Sequence, residues 1–219
     1  MPLIRESFRV GALGCNCSIV ACPDTGEALV VDPGDEAPRI LAALKRLGAR
    51  AVRLVHTHAH FDHIMGTGEV AAETGAEIVL HKEDRWLYDN LALQTSLFGM
   101  PAPPAPPPPT RELTADQALA FGRREAHALH TPGHTPGSTC FLVQAAGETP
   151  VLFAGDTLFR GSIGRTDLWG GSAPLLLQSI REKLFQLPDD TVVVAGHGAE
   201  TTIGDEKENN RFVGRRSRT

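Results

Sequence analysis

The chain has 219 residues, of which 42% are hydrophobic and 21% charged, so one domain over residues 1–219 can bury a substantial core. Its formal net charge is −5 and it has no long basic block, which argues against a nucleic-acid partner. It also lacks an apolar leader and any run of about 18 apolar residues, and its four cysteines are unevenly spread. We therefore expect a cytoplasmic protein with free thiols and no membrane segment.

The first part of the chain predicts short strands followed by alternating helices and strands. Gly, Pro and Asp turn residues separate three β-like runs, which indicates an antiparallel meander. Apolar residues then recur at helical spacing up to Gly48. The predicted strands are 7–10, 18–22, 28–31, 51–55 and 77–80, and the predicted helices are 37–47, 66–74 and 83–91.

A proline-rich stretch occupies residues 101–109. Repeated proline excludes a helix or a central strand and favours extended polyproline II. We interpret the stretch as a stiff linker that crosses the surface between two halves of one domain. The alternatives are a docking motif for a partner and the edge of an active-site lid.

The second part of the chain predicts another sheet with a covering helix. The predicted strands are 117–121, 125–129, 139–144, 151–154 and 191–195, and the predicted helix is 174–187. Two sheets, each with helices on its outer face, would account for both halves. The sequence thus favours the α/β class.

Histidine and aspartate residues follow several of the predicted strands. Three histidines lie in Thr57-His58-Ala59-His60-Phe61-Asp62-His63, and single candidates occur in the turn 131–137 and after two later strands. Such loops gather at one edge of an α/β sheet, and imidazoles with a bridging carboxylate suit a two-metal hydrolase site. A lone His-x-His would be weak, but the whole set is specific. The candidate metal ligands are His58, His60, Asp62, His63, His134, Asp156 and His197.

This pattern of a His-x-His-x-Asp-His segment, a separate His, an Asp and a final His resembles the signature of the metallo-β-lactamase superfamily. Within it, the chain is similar to the short glyoxalase II-type hydrolases over residues 16–20, 131–138, 155–159, 161–167 and 196–198. The resemblance implies a four-layer αββα sandwich of two mixed sheets with helices on the outer faces. Asp156 argues against the β-lactamase branches, where Cys or Ser is usual.

The resemblance also implies two divalent metal ions, zinc first, with iron or manganese as alternatives. His58, His60 and His134 would bind one ion, Asp62, His63 and His197 the other, and Asp156 would bridge them. A metal-bridging hydroxide would attack a small-molecule substrate, a thioester of the hydroxyacylglutathione type. The implied catalytic residues are Asp62, which would orient the hydroxide, and Asp156.

Arg165 would contact a substrate carboxylate by the same resemblance, or else pair with Asp167 at the surface. Full-length glyoxalase II enzymes carry a C-terminal helical domain that binds glutathione, and we expect it to be absent here. The reaction type is therefore a firmer expectation than the substrate, and the sequence leaves the oligomeric state open.

Two alternative functions are retained. The first is a mononuclear iron persulfide dioxygenase, which shares the stretch 163–167, although Phe61 stands where those enzymes have Ala. The second is a non-catalytic metal-binding protein. Of the other histidines, His56 is expected to pack rather than support a ligand. His81, His127 and His130 have no partner pattern. Three aromatic residues that either cover the site or pack in the core are Trp86, Tyr88 and Phe98.

Overall fold

A computed structural model describes residues 2–101 and 103–215 of the chain. The first sheet has six strands in the order β1-β2-β3-β4-β5-β6. The first three strands pair antiparallel, as the predicted meander requires, and the next three continue the sheet in parallel. The strands are β1 (Ile4–Val10), β2 (Cys15–Ala21), β3 (Glu27–Val31), β4 (Arg50–Val55), β5 (Glu77–His81) and β6 (Arg111–Leu113).

The second sheet has six strands in the order β14-β13-β10-β9-β8-β7. Strands β10 and β13 pair in parallel, and the other neighbours pair antiparallel, so this sheet is also mixed. A small hairpin of β11 (Leu158–Phe159) and β12 (Ser162–Ile163) follows β10. The six strands of the sheet are β7 (Gln117–Phe121), β8 (Arg124–His130), β9 (Thr139–Val143), β10 (Val151–Gly155), β13 (Val192–Ala195) and β14 (Thr201–Thr202).

Helices connect the parallel strands, because a parallel crossover needs a long connection. Two short 3-10 turns, Lys82–Asp84 and Leu184–Gln186, precede or follow α-helices. The α-helices are α1 (Ala37–Leu47), α2 (Phe61–Ile64), α3 (Thr67–Thr74), α4 (Arg85–Asp89), α5 (Leu91–Leu97), α6 (Ala173–Glu182) and α7 (Ile203–Asn209).

Three apolar clusters define four layers. The central cluster lies between the sheets and joins side chains such as Val55 of β4 to Phe153 of β10. The second packs α1, through Ile40, on the outer face of the first sheet. The third packs α6, through Leu176 and Ile180, on the outer face of the second sheet. The predicted αββα sandwich of two mixed sheets is confirmed.

Strand β10 shows why the second half was predictable from sequence. All five of its residues are buried, because one face of the strand meets the other sheet and the opposite face meets the helices. A strand covered on both sides has no need for polar residues, so it appears as a continuous apolar run. Its end, and therefore the position of Asp156 at the edge of the sheet, followed directly from that run.

The interpretation of residues 101–109 as a linker between two halves is wrong. The stretch, of which residue 102 lies outside the described residues, joins α5 to β6, and both belong to the layers of the first half. The chain crosses to the second sheet only between β6 and β7. The stretch contacts the first half at Pro107, whose backbone oxygen accepts a 2.8 Å hydrogen bond from the Tyr88 hydroxyl.

Two predicted helices have different bounds in the structure. The helix predicted over 83–91 is a 3-10 turn followed by α4, and the unpredicted α5 comes next. The helix predicted over 174–187 ends at Glu182, and a 3-10 turn follows Lys183. Among the described residues, no helix combines the length and apolar character needed to cross a bilayer. All four cysteines are buried free thiols, as predicted.

Candidate metal centre

The seven predicted ligands come from four loops that meet at one edge of the sandwich. The segment 57–63 follows β4, the turn 131–137 joins β8 to β9, and residues 156 and 197 follow β10 and β13. Because β10 and β13 are parallel, their carboxyl ends lie at the same edge. The structure brings all seven together in three groups whose ligand atoms lie within 4.8 Å of one another. They are His58, His60 and His134; His58, His63 and Asp156; and Asp62, His63 and His197.

Three imidazoles form the first half of the centre. The Nε2 atom of His134 lies 3.2 Å from His58 Nε2 and 2.9 Å from His60 Nδ1. The three residues are between 1% and 6% exposed. This fraction matters because buried imidazoles that face each other are costly to charge, so they remain neutral and keep their lone pairs.

The second half of the centre contains Asp62, His63 and His197. Asp62 Oδ2 lies 3.1 Å from His197 Nε2, and the two histidine Nε2 atoms are 3.4 Å apart. Asp156 lies between the two halves: its Oδ2 is 3.7 Å from His134 Nε2 and its Oδ1 is 3.6 Å from His63 Nε2. A single carboxylate therefore faces both groups of imidazoles.

Four of the five imidazoles have an acceptor on the side away from the centre. His134 Nδ1 donates to the carbonyl oxygen of Arg165 at 2.8 Å, and His197 Nδ1 donates to that of Leu13 at 3.2 Å. His63 and His58 are fixed in the same way through Asp32. Each outward N–H leaves Nε2 as the nitrogen that points into the centre, where it can bind a cation once it carries no proton.

Asp32 links the two halves of the centre by hydrogen bonds on the side of the imidazoles that faces away from it. Its Oδ2 accepts hydrogen bonds from His63 Nδ1 at 2.9 Å and from the Thr57 hydroxyl at 2.7 Å. Its Oδ1 accepts from the Thr57 backbone N–H at 2.7 Å. Since the Thr57 hydroxyl donates to Asp32, it accepts from His58 Nδ1 at 3.0 Å. One carboxylate thus sets the tautomers of a histidine in each half.

The donor set fits divalent cations. Within the described chain, Asp156 Oδ1 is buried at the centre without a hydrogen-bond partner. Burial holds the pKa of His58 well below its usual range and, with the nearby His134, lowers the pKa of His60 to about 3. Imidazoles and carboxylates that converge in this way are the ligands that zinc and similar metals prefer.

The carboxylate of Asp62 is held in its charged form. Burial on its own would raise the pKa of Asp62, but His63 and the hydrogen bond from His197 outweigh it and lower the pKa below its ordinary value. Burial would likewise lower the pKa of His197, yet its hydrogen bond to Asp62 and the charge of Asp156 raise it. Metal binding at this half must therefore displace a proton from His197 at acidic pH.

Two buried side chains hold the loops of the centre together, and neither was singled out from the sequence. Asp84 accepts hydrogen bonds from the Ala59 N–H at 2.9 Å, the Thr135 hydroxyl at 2.8 Å and the Gly137 N–H at 2.6 Å. It therefore joins the loop of His58 and His60 to that of His134. Gln94 supports the first loop alone, since its amide donates to the Ala59 oxygen at 2.9 Å.

A sequence signal for Asp32 existed and was missed. Asp32 directly follows the apolar strand β3, just as Asp156 follows β10. It also has a positive φ of 50°, a conformation that Asp tolerates better than most residues. Asp84 gave no such signal, because it lies among exposed charged residues on a 3-10 turn.

The amide of Asn16 reaches across from β2 and donates to Ala195 O at 2.9 Å, which anchors the loop of His197.

Gly196 explains how closely the backbone approaches the ligands. A Cβ atom at this position would lie 2.2 Å from Asp156 Oδ1 and 2.8 Å from His63 Cε1. Neither distance is compatible with ordinary packing, so only glycine lets the strand end of β13 pass beside the carboxylate.

The remaining histidines lie outside the centre. His56 is buried and bonded through Nδ1 to Val79 O at 3.0 Å and through Nε2 to the Thr67 hydroxyl at 2.8 Å, so the packing interpretation is confirmed. His81 and His130 stack on each other, with ring centroids 3.9 Å apart. His127 is exposed on β8.

Arg165 lies at the mouth of the centre. It lines the cavity in front of the ligands, and its guanidinium makes two hydrogen bonds to Asp167, at 2.7 and 2.8 Å. The ion pair considered from the sequence is therefore present. The backbone oxygen of Arg165, rather than its side chain, supports a candidate ligand, His134.

Comparison with known proteins identifies the family. A profile of the metallo-β-lactamase superfamily matches residues 10–197, and the chain belongs to this superfamily. It is 37% identical over 213 residues to the hydroxyacylglutathione hydrolase GloC of Haemophilus influenzae, covering 97% of this chain and 99% of that protein.

Two solved structures resemble the chain over nearly their whole length. The B3 metallo-β-lactamase BLEG-1 has a TM-score of 0.88 at 38% identity, covering 96% of this chain and 99% of that one. TTHA1623, in a di-iron-bound form, has a TM-score of 0.84 at 35% identity, covering 94% and 99%. Together with the site, superfamily membership supports a metal-dependent hydrolase that acts on a small molecule.

Proposed function

We propose that the protein is a binuclear metallohydrolase that cleaves thioesters of the hydroxyacylglutathione type. The observation that carries this proposal is the convergence of five imidazoles and two carboxylates at one edge of the sandwich, with four of the outward imidazole N–H groups already bonded elsewhere. The similarity to a hydroxyacylglutathione hydrolase along 97% of the chain supports the choice of substrate.

The geometry supports one division of the ligands. His58, His60 and His134 would hold one ion, Asp62, His63 and His197 the other, and Asp156 would bridge them. When bound, the pair of ions would supply Lewis acidity and lower the pKa of water to near neutrality. Nitrogen and carboxylate donors suit zinc, and the di-iron form of a similar structure keeps iron as an alternative.

Hydrolysis forms a bond between a water oxygen and the carbonyl carbon and breaks the carbon–sulfur bond, which releases an acid and a thiol. Asp62 is suited to accept a hydrogen bond from the attacking water, because it is ionised at neutral pH and its side chain is 15% exposed at the cavity. Its hydrogen bond with His197 fixes the direction of the carboxylate.

Arg165 is proposed to bind a carboxylate of the substrate. Its side chain is 56% exposed at the cavity mouth, so a substrate can reach it without moving the fold. The price of this contact is the exposed ion pair with Asp167, and such pairs contribute only about 0–1 kcal/mol. The buried free thiols are also in keeping with a reducing compartment, and we propose the cytoplasm as the location.

The decisive experiment combines metal analysis with an assay of S-D-lactoylglutathione hydrolysis. We expect two metal ions per chain and release of free thiol that stops after chelation and returns on addition of zinc, iron or manganese. Asp167→Ala, which releases Arg165 from its ion pair, is expected to keep activity. Oxygen uptake with glutathione persulfide, one iron per chain and no thioester cleavage would instead favour the dioxygenase. Hydrolysis of nitrocefin alone would favour a β-lactamase.

A further inference from the structure

The cavity in front of the candidate ligands has one polar and one apolar side. The polar side consists of the histidines and aspartates described above, together with Arg165 and Gln94. We call the other side the apolar wall; it comes from the β1–β2 turn, α2, the end of α5 and the loop before α6. Its residues are Leu13, Phe61, Phe98, Leu168 and Trp169.

The apolar wall packs against the protein on one side and is open to solvent on the other. Phe61 is 3% exposed and packs its ring against Phe98, with centroids 4.9 Å apart. Phe98 itself is 48% exposed and Leu13 is 52% exposed. Large apolar side chains that remain open to solvent beside a cluster of polar groups are typical of a ligand site. Of the aromatic residues considered from the sequence, Phe98 therefore lines the site and Tyr88 belongs to the core.

The wall offers little to a charged substituent. Arg165 is the one Lys or Arg side chain among the described residues lining this cavity, and it is already paired with Asp167. The apolar wall itself has no charged side chain and, apart from the Trp169 indole N–H, no hydrogen-bonding one to replace the water that an anion would lose on entering. An uncharged apolar group meets no such penalty and gains from leaving water.

The size of the cavity limits what can enter. Its volume is about 140 Å³. An apolar protein cavity of about 150 Å³ accepts benzene, whereas a tripeptide is several times larger. A glutathione moiety must therefore extend outward past Arg165, and the group that fits against the wall is the acyl substituent beside the scissile carbonyl.

We propose that the apolar wall is an acyl-binding subsite, which makes aromatic and bulky aliphatic 2-hydroxyacyl thioesters better substrates than the lactoyl thioester. This inference rests on the proposed thioester hydrolysis and adds its specificity. Phe98 and Trp169 are the specificity-determining residues, because both reach the cavity and neither belongs to the metal centre.

The test uses two substrates with the same glutathione moiety. S-D-mandeloylglutathione differs from S-D-lactoylglutathione only by a phenyl group in place of a methyl group. We expect a kcat/KM at least about tenfold higher for the mandeloyl thioester, since even one methylene in an apolar pocket changes kcat/KM by about 10–200-fold. Phe98→Ala and Trp169→Ala should reduce this ratio several-fold, because each lowers kcat/KM more for the mandeloyl than for the lactoyl thioester.

Leu97→Ala is the matched control, because Leu97 is 64% exposed, adjoins Phe98 and is not a lining residue of the cavity. It should leave the substrate ratio unchanged. Equal rates with both thioesters, or a ratio that Phe98→Ala and Trp169→Ala do not alter, would overturn the subsite. Failure to cleave either thioester would overturn the proposed function instead.

A binding measurement separates the subsite from catalysis. The sequence contains two tryptophans, so Trp86→Phe leaves Trp169 as the sole fluorescent indole. S-benzylglutathione and S-methylglutathione are thioethers that cannot be hydrolysed, and they differ by a phenyl group in place of a hydrogen atom. The benzyl compound should bind at least about tenfold more tightly and change Trp169 emission. Equal affinities, with emission unaffected by either compound, would contradict the subsite even in an active enzyme.

Discussion

Asp32 Oδ2 lies 2.9 Å from His63 Nδ1, and this contact decides which nitrogen of His63 faces the candidate metal centre. The imidazole donates its Nδ1–H to the buried carboxylate, so Nε2 is the nitrogen that faces Asp62 and Asp156. The same carboxylate acts on His58 through the Thr57 hydroxyl. Metal affinity should therefore depend on a residue that contacts no metal.

Asp32→Asn is expected to weaken metal binding by about 10–100-fold, the usual cost of losing a group that orients a ligand. An amide offers one acceptor oxygen in place of two, and its NH₂ group would oppose N–H and O–H donors of His63 and Thr57. Competition with a chromophoric chelator measures the affinity directly. Asp24→Asn, at the exposed turn before β3, is the control. Wild-type affinity in the Asp32 variant would show that the tautomers are fixed by other means.

Substitution of a ligand in one half of the centre should remove the metal ion of that half and leave the other ion bound. His58→Ala and His197→Ala each remove an imidazole from one half of the centre, so each should lower the metal content from about two ions to about one. Asp156→Ala should weaken both sites, because its carboxylate faces both halves. Each variant is expected to lose at least about 100-fold in thioester hydrolysis.

Elemental analysis of dialysed protein measures the metal content, and His127→Ala is the control because His127 is exposed on β8. Full activity in the His58 or Asp156 variant would be incompatible with the ligand assignment. Loss of both ions in the His58 and His197 variants alike would argue against two separable halves.

Asp84 links the loops of His58, His60 and His134, and its substitution should affect stability as well as metal binding. Burial raises the pKa of Asp84 to about 6 even though three groups donate to it, so the carboxylate is mostly ionised at pH 7. Asp84→Asn would set an NH₂ group against one of the N–H donors of Ala59 and Gly137. We expect a loss of about 1–3 kcal/mol in the free energy of unfolding, measured with urea on metal-free protein.

The neighbouring Glu83→Gln is the matched control, because Glu83 is exposed on the same 3-10 turn. It should unfold at the wild-type urea concentration. If the two variants were equally stable, the hydrogen bonds of Asp84 would contribute nothing net to joining the loops.

The parts of the fold that were predictable from sequence are those with strong local patterns. Continuous apolar runs marked β10 and β13, and the ends of these runs correctly located Asp156 and His197 at the edge of the sheet. Strand β6, by contrast, has the sequence Arg-Glu-Leu, and it is a strand only because β5 supplies a parallel partner. The two-residue strands β11 and β12 are equally dependent on their surroundings. Local propensity is too weak to specify such short elements.

The supporting residues of the centre were harder to predict than the ligands. The candidate ligands stand out because imidazoles are rare and crowd into a short motif, whereas Asp84 is one of many carboxylates on a polar surface segment. Its role depends on contacts with residue 135 and residue 137, which are distant in sequence. The stacking of His81 on His130 could not be predicted either, because the two residues are distant in sequence and lie at the ends of strands in two different sheets.

The stacked pair should make stability depend on pH. His81 is 2% exposed, and burial together with the neighbouring His130 lowers its pKa to about 4. An unfolded chain takes up this proton near pH 6.5, so it binds more protons than the folded chain between pH 6.5 and 4. The His81 contribution is therefore fully present above pH 6.5 and is lost as the pH falls toward 4.

His81→Phe keeps an aromatic ring for the stack but removes the titrating group. The decrease in the free energy of unfolding from pH 7 to pH 5 should be about 2 kcal/mol smaller in this variant than in the wild type. Urea unfolding of metal-free protein at the two pH values measures the difference, and His127→Gln removes an exposed histidine as the control. Because the candidate metal ligands are the same in all three proteins, their titration cancels in the comparison. An identical decrease in the wild type and the His81 variant would mean that His81 is protonated equally in the folded and unfolded chains.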